Sequence, residues 1–380
     1  MAGPDPRRAR RCRVLLVGGG TGGHISPLLA VAESMSAADP EVDFLFLGGR
    51  RGLEAELVSA AGIPFHATVM PSLRDPDSRI SLVSRALLLP FAAVDALAQI
   101  VRFGPSVCCT TGGLVSLPIV IAARVARVPV YIWEGNAVPG RVNRLLAGWS
   151  QRIGTTFDAS LRALPRARTT VSGNPIRGSL LRWDRASGRS KLGIGEGETV
   201  VFVTGGSQGS AAINGAVSGA LTRLLRRATV IHHAGTAHER QAQAKRDALP
   251  EELRPRYRVY GFLREEMGAA LASADLVIGR ASSSSIAEPL AFGVPLVLVP
   301  FAAAADAHQT ANARDAVDKG AAVLLPESQL DPDRLVAVIT GLLDDRPRLE
   351  RMSAAARKAG RPDAARSIAE ELRALGGCSP

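Results

Sequence analysis

Residues 17–24, VGGGTGGH, decide how the first half of this chain folds. They follow the apolar run CRVLL and precede ISPLLAVAESM, in which apolar residues recur at helical spacing. A strand that enters a helix through glycines predicts a βα unit in which a ligand can approach the backbone closely. Helix amides and the helix dipole favour an anion at that point, so this first glycine turn predicts a phosphate site.

A second glycine turn, GGSQG at residues 205–209, follows another apolar strand, VVFVT. Around both turns, short β-branched or Leu-rich runs alternate with helical patterns, which predicts parallel sheets covered on both faces. Because the pattern starts twice, we expect an α/β protein with two doubly wound, Rossmann-like domains that meet near residues 171–180. Ligands of such sheets bind beyond the carboxyl ends of the strands, so we expect the site in an interdomain cleft.

Composition narrows the class of protein. The chain has 380 residues and a net charge of +11, which favours anionic partners. Aromatic residues make up only 4%, and no basic, aromatic-rich strand is present, so we expect no nucleic-acid partner. The apolar stretch at residues 86–101 is shorter than the ~20 residues of a membrane-spanning helix, and Pro90 and Asp95 interrupt it.

The cysteines and the paired aspartates carry no metal-site pattern. The four cysteines show neither ligand spacing nor a disulfide framework, which is typical of a reducing cytosol: Cys12, Cys108, Cys109 and Cys378. The Asp-x-Asp pairs lie in polar loops that contain proline, where aspartate favours turns, so we expect no metal there: Asp75 with Asp77, and Asp331 with Asp333.

A third candidate site is the segment ADLVIGRASSSSIAEPLAFGVP, residues 274–295. We expect Glu288 in the first turn of the helix that follows strand 276–279, where a carboxylate either complements the dipole or accepts hydrogen bonds from ribose hydroxyls. Further on, His308, Gln309 and Asn312 share a predicted helix start. Their polar side chains suit hydrogen bonds to the hydroxyls of a sugar. Alternatively, they are simply solvent-exposed residues at the start of a helix.

The first glycine turn leaves other classes of protein open. Gly18, Gly20 and Gly23 match G-x-G-x-x-G, but no acidic residue ends the second strand to hold a ribose. Arg50 suits a 2′-phosphate instead, so an NADP-dependent oxidoreductase is an alternative. A non-catalytic nucleotide-sugar binding protein is another, and the glycines can also serve only to make the turn tight.

Seven motifs occur together and in order over about residues 12–325: GGTGGHISPLLAVA, TTGGLVSLP, WEGNAVPGRVNRLLA, SGNPIR, VTGGSQGSAAIN, IAEPLAFGVPLVLVPF and HQTAN. In these the chain resembles the MurG family, glycosyltransferases that add N-acetylglucosamine to lipid I in peptidoglycan synthesis. The resemblance implies the two-domain GT-B architecture without a cofactor. It implies domains at residues 1–172 and 173–355, and a C-terminal helix in residues 356–380 that packs back on the first domain.

The resemblance also implies the residues that contact the donor, UDP-N-acetylglucosamine. Glu288 would hold the uridine ribose, and the remaining contacts are Thr21, Gly22, Gly23, Asn136, Arg177, Ser207, Leu263, Ser283, Ser284, Ser285, Ile286, Ala287 and Gln309. The chain departs from the family where it has WEGN for HEQN, Ser282 and Ser283 for a Gly-Ala pair, and His308 for a glutamine. Residues 70–80, MPSLRDPDSRI, lack the usual GKG. A MurG-like paralogue that glycosylates another lipid or a secondary metabolite is therefore an alternative.

The implied reaction is inverting transfer to the muramoyl 4-hydroxyl of undecaprenyl-linked lipid I, which gives lipid II. His24 is the candidate general base, or else a ligand of the acceptor diphosphate. A lipid-linked acceptor implies a peripheral protein on the cytoplasmic side of the membrane. Residues 80–103 carry apolar side chains at helical spacing with Arg79, Arg85 and Arg102 nearby, which suits an anionic membrane surface or, alternatively, a buried core helix.

Overall fold

The computed structural model describes residues 11–19, 22–49, 54–68, 82–264, 266–304 and 307–378, apart from the side chains of residues 22 and 82–87. The chain divides into two compact units. The first unit joins Met1–Gly178 to Asp363–Pro380, and the second unit is Ser179–Pro362.

The first unit is built on a parallel sheet with the order β3-β2-β1-β4-β5-β6-β7. Its strands are β1 (Arg13–Val17), β2 (Asp43–Gly49), β3 (Phe65–Thr68), β4 (Val107–Thr110), β5 (Val130–Glu134), β6 (Arg152–Thr155) and β7 (Thr169–Val171). Its helices are α1 (Gly22–Ala38), α2 (Glu54–Ala60), α3 (Leu82–Phe103), α4 (Ser116–Val125), α5 (Arg141–Leu146) and, from the end of the chain, α15 (Ala364–Gly376).

The second unit repeats this design with the order β10-β9-β8-β11-β12-β13, again parallel throughout. Its strands are β8 (Val200–Thr204), β9 (Thr229–His233), β10 (Tyr257–Tyr260), β11 (Leu276–Gly279), β12 (Leu296–Leu298) and β13 (Ala322–Leu324). The helices are α6 (Gly178–Leu181), α7 (Arg185–Leu192), α8 (Ala211–Leu225), α9 (Glu239–Asp247), α10 (Glu266–Ser273), α11 (Ser283–Ala291), α12 (His308–Asp318), α13 (Pro332–Asp344) and α14 (Arg346–Ala359).

Both sheets reverse their strand order at one point. The reversal lies between β1 and β4 in the first unit and between β8 and β11 in the second unit. Ligands of doubly wound sheets bind at this switch point, beyond the carboxyl ends of the strands. The expected α/β class with two doubly wound units is confirmed, and each glycine turn begins at the end of a switch-point strand.

Three short strands were not expected from the sequence, β6, β7 and β13, of which β7 and β13 lie at the edges of their sheets. They span only three or four residues each. Runs this short carry too little alternation to be separated from loops, so only their pairing with a neighbour identifies them.

Both faces of the first sheet are buried, as the continuous apolar strands require. Along β1, Leu15 and Val17 join one core while Val14 and Leu16 join the other, because successive side chains point to opposite faces. Helix α15 adds Ile368, Ala369 and Leu372 to the core that contains Val14 and Leu16. The last helix of the chain thus completes the packing of its first strand.

A disulfide joins Cys12 to Cys378, with 5.3 Å between the two Cα atoms. The expectation of no disulfide was therefore wrong. The partners are 366 residues apart, so no spacing pattern reveals them, and they meet only because α15 returns to the start of β1. Cys108 and Cys109 on β4 are buried free thiols, and burial raises the pKa of Cys108 to about 12.

Candidate functional site

His24 lies at the switch point of the first unit, as the third residue of α1. Its Nδ1 is 3.1 Å from the carbonyl oxygen of Thr111, which directly follows β4. The Thr111 hydroxyl in turn donates to the carbonyl oxygen of His24 over 2.9 Å. These two bonds join the start of α1 to the loop after β4 and hold the half-buried imidazole at the carboxyl edge of the sheet.

The contact with Thr111 selects the tautomer of His24. A carbonyl oxygen only accepts, so Nδ1 must carry the hydrogen in this bond. In the neutral ring the lone pair then belongs to Nε2, which is the nitrogen that can take a proton.

The loop after β4 is held by its own hydrogen bonds. The amide of Gly112 donates to the Thr110 hydroxyl over 3.0 Å, and the Ser116 hydroxyl donates to the Gly112 carbonyl over 2.6 Å. Gly112 has a φ of 86°, and a Cβ there would lie 2.1 Å from Oδ1 of Asn143. Only glycine fits this backbone, which fixes the Thr111 carbonyl that His24 contacts.

Asn136 lies in the neighbouring loop after β5, which the buried carboxylate of Glu134 organises. Glu134 accepts hydrogen bonds from the amides of Asn136 (2.8 Å) and Gly140 (2.9 Å) and from Nδ2 of Asn143 (2.8 Å). Asn143 also packs against Gly112, so the loops after β4 and β5 share one network. Trp133, one of the departures from the family motif, donates from its indole to the Gly173 carbonyl and is buried.

The second glycine turn leads from β8 into α8 at the switch point of the second unit. Ser210 caps α8 by accepting the amide of Ile213 over 3.3 Å. Gly209 has a φ of 75°, and a Cβ there would lie 2.1 Å from the carbonyl oxygen of Ala234. Tight packing thus explains Gly209, while Ser207 is exposed on the turn before the helix N-terminus, where an anion is favoured.

Glu288 does not lie in the first turn of its helix, and that expectation was wrong. Helix α11 begins at Ser283 with Ser282 as its cap, so Glu288 is the sixth helical residue. The Ser282 hydroxyl accepts the amide of Ser285 over 3.3 Å. The cap therefore comes from a serine, and a carboxylate in the second turn gains little from the dipole, whose effect fades beyond the first turn.

The amides at the start of α12 bind backbone groups of neighbouring loops. Oε1 of Gln309 accepts from the amide of Phe301 over 2.9 Å and from that of Ala281 over 3.3 Å. Asn312 is fully buried, and its Nδ2 donates to the Ala281 carbonyl over 3.1 Å. This helix start is not simply solvated, because its side chains fix the loop that follows β11.

The other predicted residues lie as follows. Gly22 and Gly23 open α1, while Thr21 lies outside the described residues, as do Arg50, Asp75 and Asp77. Leu263 is buried just after β10, and Arg177 is exposed before α6. Ser283, Ser284, Ser285, Ile286 and Ala287 form the first five residues of α11.

The second Asp-x-Asp pair has structural roles. Asp331 caps α13 by accepting the amide of Arg334 over 2.8 Å. Asp333 accepts from Arg223 over 2.7 Å. The pair therefore begins helix α13 rather than lying in a turn, so the expectation of a turn was wrong.

Two exposed aromatic rings at the carboxyl edge of the second sheet were missed by sequence reasoning. Phe262 follows β10, is 50% exposed, and carries the Arg264 guanidinium 5.5 Å above its ring. Phe301 lies beyond β12 with Arg280 5.1 Å from its ring, and Arg280 also pairs with Glu327. An aromatic residue two or three residues after the end of a strand is the signal that could have found them, since such rings offer flat stacking surfaces.

Both units of the chain match models of known protein families. Residues 14–155 match the glycosyltransferase family 28 N-terminal domain, and residues 200–368 match the glycosyltransferase family 28 C-terminal domain. The chain is 41% identical to the UDP-N-acetylglucosamine--N-acetylmuramyl-(pentapeptide) pyrophosphoryl-undecaprenol N-acetylglucosamine transferase of Alkalilimnicola ehrlichii over 94% of this chain and 97% of that protein. It is 38% identical to the protein of the same name from Salinibacter ruber, over 96% of this chain and 97% of that protein.

Solved structures agree with the sequence relatives. The crystal structure of Acinetobacter baumannii MurG aligns with a TM-score of 0.76 and 26% identity over 96% of this chain and 99% of that one. The glycosyltransferase of kitacinnamycin aligns with a TM-score of 0.64 at 20% identity, over 96% of this chain and 100% of that one, which is a likeness of fold alone.

Proposed function

Since the chain belongs to the MurG family of glycosyltransferases, we propose that it transfers N-acetylglucosamine from UDP-N-acetylglucosamine to undecaprenyl-pyrophosphoryl-N-acetylmuramoyl-pentapeptide. The observation that carries the proposal is identity of 41% over nearly the full length of an enzyme with that name. The fixed tautomer of His24 supports it, because transfer to a hydroxyl needs a base.

In the proposed reaction the 4-hydroxyl of the muramoyl sugar attacks the anomeric carbon of the donor. A carbon–oxygen bond forms there while the bond from that carbon to the UDP oxygen breaks, which inverts the configuration. The hydroxyl proton passes to Nε2 of His24, and UDP leaves with the bonding electrons and a further negative charge. We assign the stabilisation of that charge to the amides of the second glycine turn and the N-terminus of α8, since helix amides and the dipole favour an anion there.

We assign donor recognition to the second unit. Glu288 is partly exposed on α11 beyond the end of β11, where its carboxylate can accept both ribose hydroxyls. Phe262 and Leu263 after β10 offer an exposed ring and a buried neighbour at the same carboxyl edge. The family match on both units leaves the NADP-dependent oxidoreductase without support.

The test of the activity uses purified protein, labelled UDP-N-acetylglucosamine and lipid I, with mass analysis of the product. We expect the acceptor to gain one N-acetylglucosamine and UDP to appear in equal amount. Donor hydrolysis without a glycosylated lipid would contradict the acceptor assignment. The same assay with another lipid or a secondary metabolite in place of lipid I tests the alternative. Transfer to that acceptor but not to lipid I would identify a MurG-like paralogue.

We expect Glu288→Gln to weaken UDP binding by about ten- to a hundredfold, because a hydrogen bond to a charged group is worth ~1.5–3 kcal/mol. Isothermal calorimetry with UDP measures this effect. The matched control is Glu350→Gln on α14, an exposed glutamate of the same unit, for which we expect unchanged affinity. Equal UDP affinity of Glu288→Gln and the wild-type protein would remove Glu288 from the donor site.

We further propose that the first unit binds anionic membrane surfaces through α3. Phe91 and Val94 on this helix are each 69% exposed, and Val101 is 71% exposed, with the exposed Arg102 beside it. The opposite side of the helix packs Ala92, Ala96 and Ile100 into the core, so the helix has one core face and one apolar outer face. Ile80, Val83, Leu87, Arg79 and Arg85 lie outside the described side chains.

Flotation with liposomes tests the membrane proposal. None of the helices in the described part of the chain has both the length and the apolar character needed to cross a bilayer. Binding through α3 therefore predicts stronger flotation with anionic than with neutral vesicles at low salt, and less at high salt. We expect Phe91→Ser with Val94→Ser to reduce flotation while donor binding stays unchanged. Equal flotation with both vesicle types would contradict an anionic partner.

A further inference from the structure

Two adjacent histidines at the end of β9 have different surroundings. They point to opposite faces of the sheet because they are successive strand residues. Both nitrogens of His232 are engaged, Nδ1 with the Tyr257 hydroxyl (2.7 Å) and Nε2 with Oδ1 of Asn214 (3.0 Å). His233 is equally buried, but only its Nδ1 has a partner, the Thr204 hydroxyl at 3.1 Å. Its Nε2 has none among the described residues.

An imidazole with only one of its two ring nitrogens hydrogen-bonded is energetically unfavourable at this buried position. A buried polar nitrogen without a partner costs free energy that an apolar side chain of similar volume would avoid. Burial also lowers the pKa of His233, so the ring is held in its neutral form. What histidine provides at this position, and an apolar side chain would not, is therefore the single hydrogen bond to Thr204.

Thr204 connects His233 to the second glycine turn. It is the last residue of β8, and its hydroxyl oxygen accepts the amide of Gly206 over 3.1 Å. The amide of Gly209 then closes the turn onto the Gly206 carbonyl over 2.9 Å. At its far end the turn packs on Ala234, the residue after His233. The end of β9 thus contacts the turn at Ala234 and, through Thr204, at Gly206.

We propose that His233 is a positioning residue that acts through Thr204 to hold the second glycine turn in the shape that receives the diphosphate of the nucleotide-sugar donor. The inference rests on the proposed function for the identity of this ligand. His233 need not touch the donor. Its effect is to keep the Gly206 amide and its neighbours oriented before the donor arrives.

The test compares two side chains of similar length, His233→Met and His233→Gln. Methionine fills the space but cannot bond to Thr204, whereas the glutamine amide can accept from or donate to that hydroxyl. We expect His233→Met to raise the KM for UDP-N-acetylglucosamine by about three- to tenfold, the value of one hydrogen bond, with kcat changed less than about twofold. We expect His233→Gln to restore the KM to within about twofold of the wild-type value.

A double-mutant cycle with Thr204→Val tests whether the two residues act as one unit. Valine keeps the shape of threonine and removes only the hydroxyl. We expect Thr204→Val to raise the KM at least as much as His233→Met does, because it also removes the acceptor of the Gly206 amide, and the double variant to be no worse than Thr204→Val alone. Melting temperatures of all variants show whether an altered KM comes from a folded protein.

A second readout does not depend on the substrate. We expect the Gly206 amide to exchange its hydrogen faster in His233→Met than in His233→Gln, measured by NMR on protein labelled with 15N-glycine. Equal exchange and equal KM in the two variants would overturn the positioning role, as would additive effects in the cycle. Faster exchange together with a wild-type protein that fails to bind UDP-N-acetylglucosamine would keep the positioning of the turn and refute the proposed donor.

Discussion

Replacing His24 by alanine should lower turnover at saturating acceptor by at least about a hundredfold, since a positioned general base contributes typically ~10²–10⁴-fold. The expectation follows from the bond between Nδ1 and the Thr111 carbonyl, which assigns the proton-accepting lone pair of the neutral ring to Nε2. Steady-state kinetics with lipid I at several concentrations measure the loss. UDP affinity should change little, because the proposed donor groups of the second unit remain.

The same measurement separates the two roles of His24. A base acts on kcat, whereas a ligand of the acceptor diphosphate acts mainly on the apparent KM for the acceptor. The matched control is His66→Gln on β3, whose imidazole lies 3.2 Å from Asp95 in the same unit. We expect that variant to keep its turnover. Full activity of His24→Ala at every acceptor concentration would exclude His24 from the site.

The largest expected change in stability concerns the disulfide between Cys12 and Cys378. We expect Cys378→Ser to destabilise the first unit by about 2–4 kcal/mol, because the cross-link restricts the unfolded chain over a very long loop. For a domain of this size that corresponds to roughly 5–15 °C in Tm. Calorimetry with and without a thiol reductant measures the shift.

The reductant also supplies the control. Reduction should lower the Tm of the wild-type protein and leave that of Cys378→Ser unchanged, since Cys108 and Cys109 are buried and already reduced. A wild-type Tm that does not respond to reductant, with the disulfide shown to be reduced by mass analysis, would contradict a stabilising role.

Local sequence patterns predicted the layers of both units because the main strands are continuous buried runs. Strand β11 and the helix that bears Glu288 were both expected, yet the start of that helix was misplaced. Four consecutive serines can each cap a helix, and the sequence does not say which one accepts the amide three residues on. Only the bond from the Ser285 amide to Ser282 resolves the choice.

Features that depend on long-range contacts were not predictable. Nothing near Cys12 in the sequence signals a partner 366 residues away. In the sequence His233 looks like an ordinary residue of a buried strand. Only the structure shows that it bonds to Thr204, which in turn accepts the amide of Gly206. His24 was singled out by its place after the glycines, but its tautomer follows from a carbonyl that lies 87 residues away in the chain.

The return of α15 to the first sheet has a consequence for biosynthesis. The first unit cannot be completed until Asp363 and the residues after it have been made, although its sheet is encoded before Gly178. At a translation rate of about 5–20 residues per second, the ribosome needs roughly 10–40 s to make the intervening chain. During that interval, the part of the core around Val14 and Leu16 that α15 later covers stays open on the nascent chain, while the second unit emerges whole. The N-terminal half of the protein is thus synthesised first but finishes folding last.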